Sequence, residues 1–203
     1  MSVVATVAGI PVLVDEVDAA ETRLRSGPRA AALPARGTGE GRQLRRWLTQ
    51  LIVTERVVTA EADARGLSGR GAPSEAELLP DATARLELGS VAAAALAEPR
   101  ARALFADVTA AVRVDDEEVA AYHARNPLRF VEPRPERNGW RTPPPVAPPL
   151  ADVRSTIADY LRGAARRRAF RVWLDARRAE LVRLAPGYEH PGDPRQPDNI
   201  HRH

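Results

Sequence analysis

Apolar residues recur at helical spacing along most of this chain, and a β-branched run stands near its amino-terminal end. Val3–Val7 reads as a strand and Ala8-Gly9-Ile10-Pro11 as a turn, after which Val12-Leu13-Val14 extends again. Asp15 is the predicted N-cap of a helix reaching about Arg25. Ser26–Gly41 is dense in glycine and proline and reads as a loop. Leu44, Trp47, Leu48, Leu51, Ile52, Val58 and Ala62 then mark one face of a helix over Arg42–Arg65, which Gly66 ends.

Ser68–Ala72 is a further loop, and Ser74 with Glu77 forms a capping box. Pro80 interrupts the next stretch. Thr83–Ala97 and Arg100–Val112 read as two alanine-rich helices, with Pro99 in the first turn of the second and Gly89 an odd presence in the first. A stronger start signal follows. Val114, Asp115, Glu118 and Val119 combine a capping box with a hydrophobic staple, and Asn126-Pro127 must end that helix near Arg125. Leu128 and Phe130 are expected to dock behind it as apolar anchors.

Glu132–Pro149 is proline-rich and reads as a semi-rigid spacer. Leu150–Leu181 is the longest predicted helix, on the order of 45 Å. Its apolar face changes along its length. Leu150, Val153, Ile157, Tyr160, Leu161 and Ala164 share one side, whereas Phe170, Trp173, Leu174 and Leu181 fall nearly opposite. Either one helix serves two packing surfaces in succession, or it bends near Gly163. Val182-Arg183-Leu184 leaves as a strand before Pro186-Gly187. The expected domains are therefore a strand and helical core (1–131), a spacer (132–149), a closing helix and strand (150–185) and an extended tail (186–203).

The composition narrows the chemistry. Apolar residues make up 44% of the 203, but only 4% are aromatic, so the core is α-rich and thin. Every basic side chain is arginine, and the net charge is only +3. The absence of cysteine excludes disulfides and thiolate metal sites. The amino-terminal residues carry no basic n-region or signal-length apolar run, and no window reaches membrane-spanning length. A cytoplasmic location without a membrane partner is the expectation.

Four segments carry a resemblance. Val4–Ala20, Val-Ala-Thr-Val-Ala-Gly-Ile-Pro-Val-Leu-Val-Asp-Glu-Val-Asp-Ala-Ala, resembles the opening strand, turn and helix of SurA/PrsA-type foldases, with Ala8 in place of the usual asparagine. Leu48–Arg56 is similar to a helix of the same domain. Val114–Phe130 resembles the segment that leads into the parvulin prolyl isomerase module, and Leu150–Leu184 the helix and strand that follow that module. Here only the short spacer stands between them. The resemblance implies a mostly α, SurA N-terminal-like helical domain with a small β-pairing of Val3–Val7 and Val182–Ala185. It also implies a chaperone-like scaffold without isomerase activity, whose partner is unfolded or extended polypeptide. Trp47, Phe105, Phe130, Phe170 and Trp173 are its candidate peptide-binding residues.

Other chemistry is thinner. No Gly-X-Ser-X-Gly elbow or phosphate-binding glycine loop occurs, so no catalytic residue or organic cofactor is predicted. Glu55 lies beside the apolar stripe of its helix and reads as a rim residue or an arginine partner. His123 reads as solvent-facing or adjacent to the helix cap. In the tail, His190, Asp193, Asp198, His201 and His203 are the candidate ligands of a divalent metal, the alternative function. Arg162, Arg166, Arg167, Arg168, Arg171, Arg177 and Arg178 form the strongest local charge. They raise a second alternative, binding of nucleic acid or an acidic protein, although no stacking aromatics are interleaved as nucleic-acid readers require.

Overall fold

A two-residue turn sets the geometry of the amino-terminal end. Ala8 and Gly9 both have positive φ, 48° and 82°, the combination that matches a tight turn to the twist of its strands. Strands β1 (Val3–Val7) and β2 (Ile10–Leu13) pair antiparallel across it, with Val7 opposite Ile10. The turn is thus shorter than the predicted Ala8–Pro11. Pro11 is accommodated because β2 is an edge strand and loses no ladder donor there. The computed structural model describes residues 2–28, 30–131 and 146–191.

β2 runs straight into α1 (Val14–Arg25). Leu13, not the predicted Asp15, is the capping position, because the Glu16 carboxylate reaches back to accept the Leu13 N–H at 2.9 Å. α2 (Gly39–Ala64) begins before the predicted Arg42, since Thr38 Oγ1 accepts the Gly41 N–H at 3.0 Å. Gly41 has a steric reason too: a Cβ there would stand 2.3 Å from the Ala35 carbonyl oxygen. Buried Glu21 ties α1 to this corner, accepting from Arg25 at 2.7 Å, Arg45 at 2.8 Å and Arg36 at 3.2 Å.

Four shorter helices follow, α3 (Glu75–Leu78), α4 (Ala82–Leu88), α5 (Ser90–Ala95) and α6 (Pro99–Val108). The Ser74–Glu77 capping box opens α3 as predicted. The single helix predicted over Thr83–Ala97 is two, because Gly89 takes φ 90° between α4 and α5. α6 stops at Val108 and not Val112: the Thr109 hydroxyl donates back to the Phe105 carbonyl at 2.7 Å and the chain turns.

α7 (Asp116–Arg125) starts on the predicted box, with Asp115 accepting from the Glu118 N–H at 2.8 Å and Glu118 from the Asp115 N–H at 3.1 Å. Leu128 is 50% exposed and docks nowhere; Phe130 does pack, edge-on to Tyr122 and Tyr160. His123 is held, its ring Nε2 lying 2.9 Å from the Pro148 carbonyl. A carbonyl only accepts, so that nitrogen carries the hydrogen.

α8 (Leu150–Leu181) is continuous through Gly163 and serves two surfaces. Its first half joins α7 around Val119, Val153 and Ile157, and its second half delivers Phe170 and Leu174 to the main core. Gly163 makes no break; a Cβ there would stand 3.1 Å from Arg167 Nη1, so the glycine leaves room for that guanidinium to reach Glu87 at 2.7 Å. β3 (Val182–Leu184) then pairs antiparallel with β1, Ala5 opposite Leu184, giving a three-stranded sheet of order β2-β1-β3. The protein is mostly helical around that small sheet. No helix among the described residues is long and apolar enough to cross a membrane.

The α7–α8 cluster is a local unit, separate from the main core. Ile157 is fully buried in it. Ile157→Ala is expected to remove about 2–4 kcal/mol of that packing. Hydrogen exchange should show protection lost in Asp116–Arg125 while Val53–Val58 of α2 keeps its own. Uniform loss across both would mean one indivisible core.

Candidate functional site

The five aromatic candidates do not line a common cleft; most of them pack into the main core. Phe105 and Phe170 stack at 5.0 Å inside the main core, each 1% exposed, and half-buried Trp173 lies 5.5 Å from Phe170. Trp47 lies on α2, its indole N–H donating to Ser90 Oγ at 3.3 Å. Phe130 belongs to the second cluster. Of the predicted metal ligands, only His190 lies among the described residues; Asp193, Asp198, His201 and His203 lie outside them. Among the described residues no group of three or more His, Asp or Glu side chains stands ready for a metal.

The arginines of α8 are mostly engaged within the fold. Arg162 pairs with Asp159 at 2.7 Å, and Arg177 with Glu61 and Glu180. Arg166 donates to Thr109 Oγ1 at 2.8 Å and covers the Phe105 ring. Buried Arg167 meets Glu87. These guanidinia splay toward α2, α4 and α6 and do not form one outward stripe.

A concavity lies elsewhere, between the β1–β2 turn, α1 and α2. It encloses about 630 Å³. Val7, Ala8, Ile10, Ala19, Ile52 and Ala60 supply an apolar lining. Helical spacing on α2 brings Ile52, Glu55, Arg56, Thr59 and Asp63 to this one side. The tight turn thrusts Ile10 to the rim, where it is 63% exposed.

Most charges at the rim are already matched. Arg56 pairs with Glu16 at 2.6 Å and donates to the Pro11 carbonyl at 2.7 Å, and Asp63 pairs with Arg100. Glu55 has no hydrogen-bonded or ion-paired partner among the described residues. Desolvation at the cleft wall raises its pKa, the nearby Glu98 raises it further, and Arg23 opposes both. The cleft therefore offers a ligand apolar area and one exposed carboxylate that has no protein partner among the described residues. Of this, the sequence marked only Glu55 as a rim residue. Ile10 was hidden inside a turn, although a large apolar residue at a hairpin tip is the signal that points to it.

A second, smaller cavity of about 270 Å³ lies between α5 and α8. Thr54, Arg171, Asp175, Arg178 and His190 border it.

A model described as a family of unknown function (DUF7158) matches residues 3–40. That stretch holds the hairpin, α1 and the loop into α2, and so supplies Val7, Ala8, Ile10, Glu16, Ala19 and Arg23 of the larger cleft. No curated protein and no solved structure matches the chain.

Proposed function

We propose that the protein is a non-catalytic, chaperone-like scaffold that binds extended polypeptide in the cleft of the hairpin, α1 and α2, akin to the helical domain of SurA-type foldases. The observation that carries the reading is the cleft itself. Ile10 stands exposed beside a concave apolar wall, an area that water leaves favourably when another apolar side chain covers it. Glu55 gives that wall a charge preference. The segment that suits it is an apolar stretch with an arginine or lysine placed to meet the carboxylate. The antiparallel pairing of the chain's two terminal strands accords with the same resemblance.

Binding by strand addition has little to work with. On β2, Pro11 lacks an N–H, its carbonyl is taken by Arg56, and the Leu13 N–H is taken by Glu16. On β3, the Val182 N–H bonds to the Arg178 carbonyl, and the Val182 carbonyl accepts from Arg183 at 2.9 Å. Such occupied edges resist a further strand, so side-chain burial is the driving term.

Ile10→Asp tests this. Burying an isoleucine side chain is worth about 1.5–3 kcal/mol, so affinity for a labelled apolar, arginine-containing peptide should fall about tenfold or more by fluorescence anisotropy. Suppression of aggregation of an unfolded client should fall with it. Ile10 is exposed, so thermal stability should hold. A variant that binds and protects like the parent protein rejects the cleft as the site.

A further inference from the structure

The opposite face of α2 meets a different environment. Gln50 and Thr54 point away from Ile52 and toward α8, where Arg171, Leu174 and Arg178 share one face at helical spacing. Leu174 is buried, and an arginine flanks it on either side. Arg178 donates to Thr54 Oγ1 and to Gln50 Oε1, both uncharged. Arg45, Arg167 and Arg177, by contrast, each meet a carboxylate. No carboxylate reaches ion-pair distance of Arg178 among the described residues.

The charge of Arg178 is thus partly withdrawn from water without a counter-ion in contact. Burial lowers its pKa, with only Asp175 acting the other way. The second guanidinium on the cavity, Arg171, donates to the Glu87 carbonyl at 3.1 Å and likewise meets no carboxylate among the described residues. His190 stands on the same cavity wall, and among the described residues Asp175 is the single acid lining it. An arginine fork retains donors after two are used, and its planar array matches the oxygens of a carboxylate or phosphate.

We infer that the cavity between α5 and α8 is a binding site for an oxyanion group, phosphate or carboxylate, carried by a small molecule, with Arg178 as the principal donor and Arg171 as the second. The site is separate from the peptide cleft, and its test does not depend on peptide binding.

The full chain is titrated with sodium phosphate and, separately, sodium acetate, each against sodium chloride at matched ionic strength, and followed by ¹H–¹⁵N NMR. Saturable shifts confined to Gly89–Ala92 and the Arg178 Nε–H are expected with at least one oxyanion and not with chloride. Response to phosphate alone marks a phosphorylated ligand, response to acetate a carboxylate one. Arg178→Gln should abolish saturation. Arg171→Gln should weaken it about tenfold, the scale of one charge-assisted hydrogen bond. Arg171 is exposed, so that variant keeps the test sound if Arg178→Gln fails to fold. Shifts no different from those with chloride, or affinity unchanged in folded Arg171→Gln, overturn the inference.

Discussion

Phe170→Ala is expected to lower the stability of the protein by about 3–5 kcal/mol. Phe170 is 1% exposed, with Phe105 at 5.0 Å on one side and Trp173 at 5.5 Å on the other. Aromatic residues are only 4% of the chain, and the buried core that Phe170 joins includes several alanines, Ala84, Ala92, Ala93 and Ala101 among them. Alanines already sit close to the backbone and have no side-chain length with which to fill a hole. The cavity therefore persists, and α8 loses its main grip on the core. Against a usual total of about 5–15 kcal/mol, the variant stands near the edge of folding. Urea denaturation measures it. Val172→Ala on the same helix, 62% exposed, should move the midpoint by no more than about 0.5 kcal/mol. A loss below about 1.5 kcal/mol at Phe170 would show that α8 is held chiefly by its arginines.

Glu21→Ala is expected to cost about 3 kcal/mol, the lower end for removing one partner of a buried ion pair. Three guanidinia converge on this carboxylate and lose it together, although Arg25 keeps the Pro34 carbonyl at 2.8 Å. Asp18 still holds Arg45 at 2.7 Å, which keeps the loss from being larger. The effect depends on pH in a definite direction. Burial works to raise the Glu21 pKa, but the hydrogen bonds from Arg25 and Arg45 and the charges of Arg25 and Arg36 outweigh it, and the net shift is downward. A carboxyl with a lowered folded pKa contributes its full stability above the unfolded value of about 4.3. It loses that contribution as pH falls through the folded value. The gap between parent and variant should thus be constant from about pH 7 to pH 5 and close below about pH 4. Urea midpoints of both proteins across that range supply the check; a gap that widens on acidification contradicts the arrangement.

The α8 arginines illustrate what side-chain pattern conveys and what it omits. Arg162 through Arg178 stand out in the sequence as a block of positive charge, and spacing alone suggests a surface for anions. The fold disperses that block. Arg167 turns inward at Gly163 to meet Glu87, Arg166 lies over Phe105, and Arg177 reaches Glu61 on α2. Each partner is remote in sequence, so no local rule finds it. The aromatic candidates behave similarly. Residue type made Trp47, Phe105, Phe130, Phe170 and Trp173 equal claimants, whereas burial separates Phe105 and Phe170 from the rest.

The sequence by itself determined the local decisions. Asp115 with Glu118 fixed the start of α7, Ser74 with Glu77 that of α3, and the shift of apolar positions along Leu150–Leu181 left two arrangements open, a straight helix with two successive packing partners or a bend near Gly163, of which the fold takes the first. These depend on residues within one or two turns of each other, where capping groups and 3.6-residue periodicity act directly. Tertiary structure alone decided the rest. It gathered three arginines on Glu21, set Arg167 against Glu87, and opened a cleft at Ile10 and a cavity at Arg178. Each of these requires groups far apart in the chain to compete for the same space or the same charge, and that competition is settled only when the whole core packs.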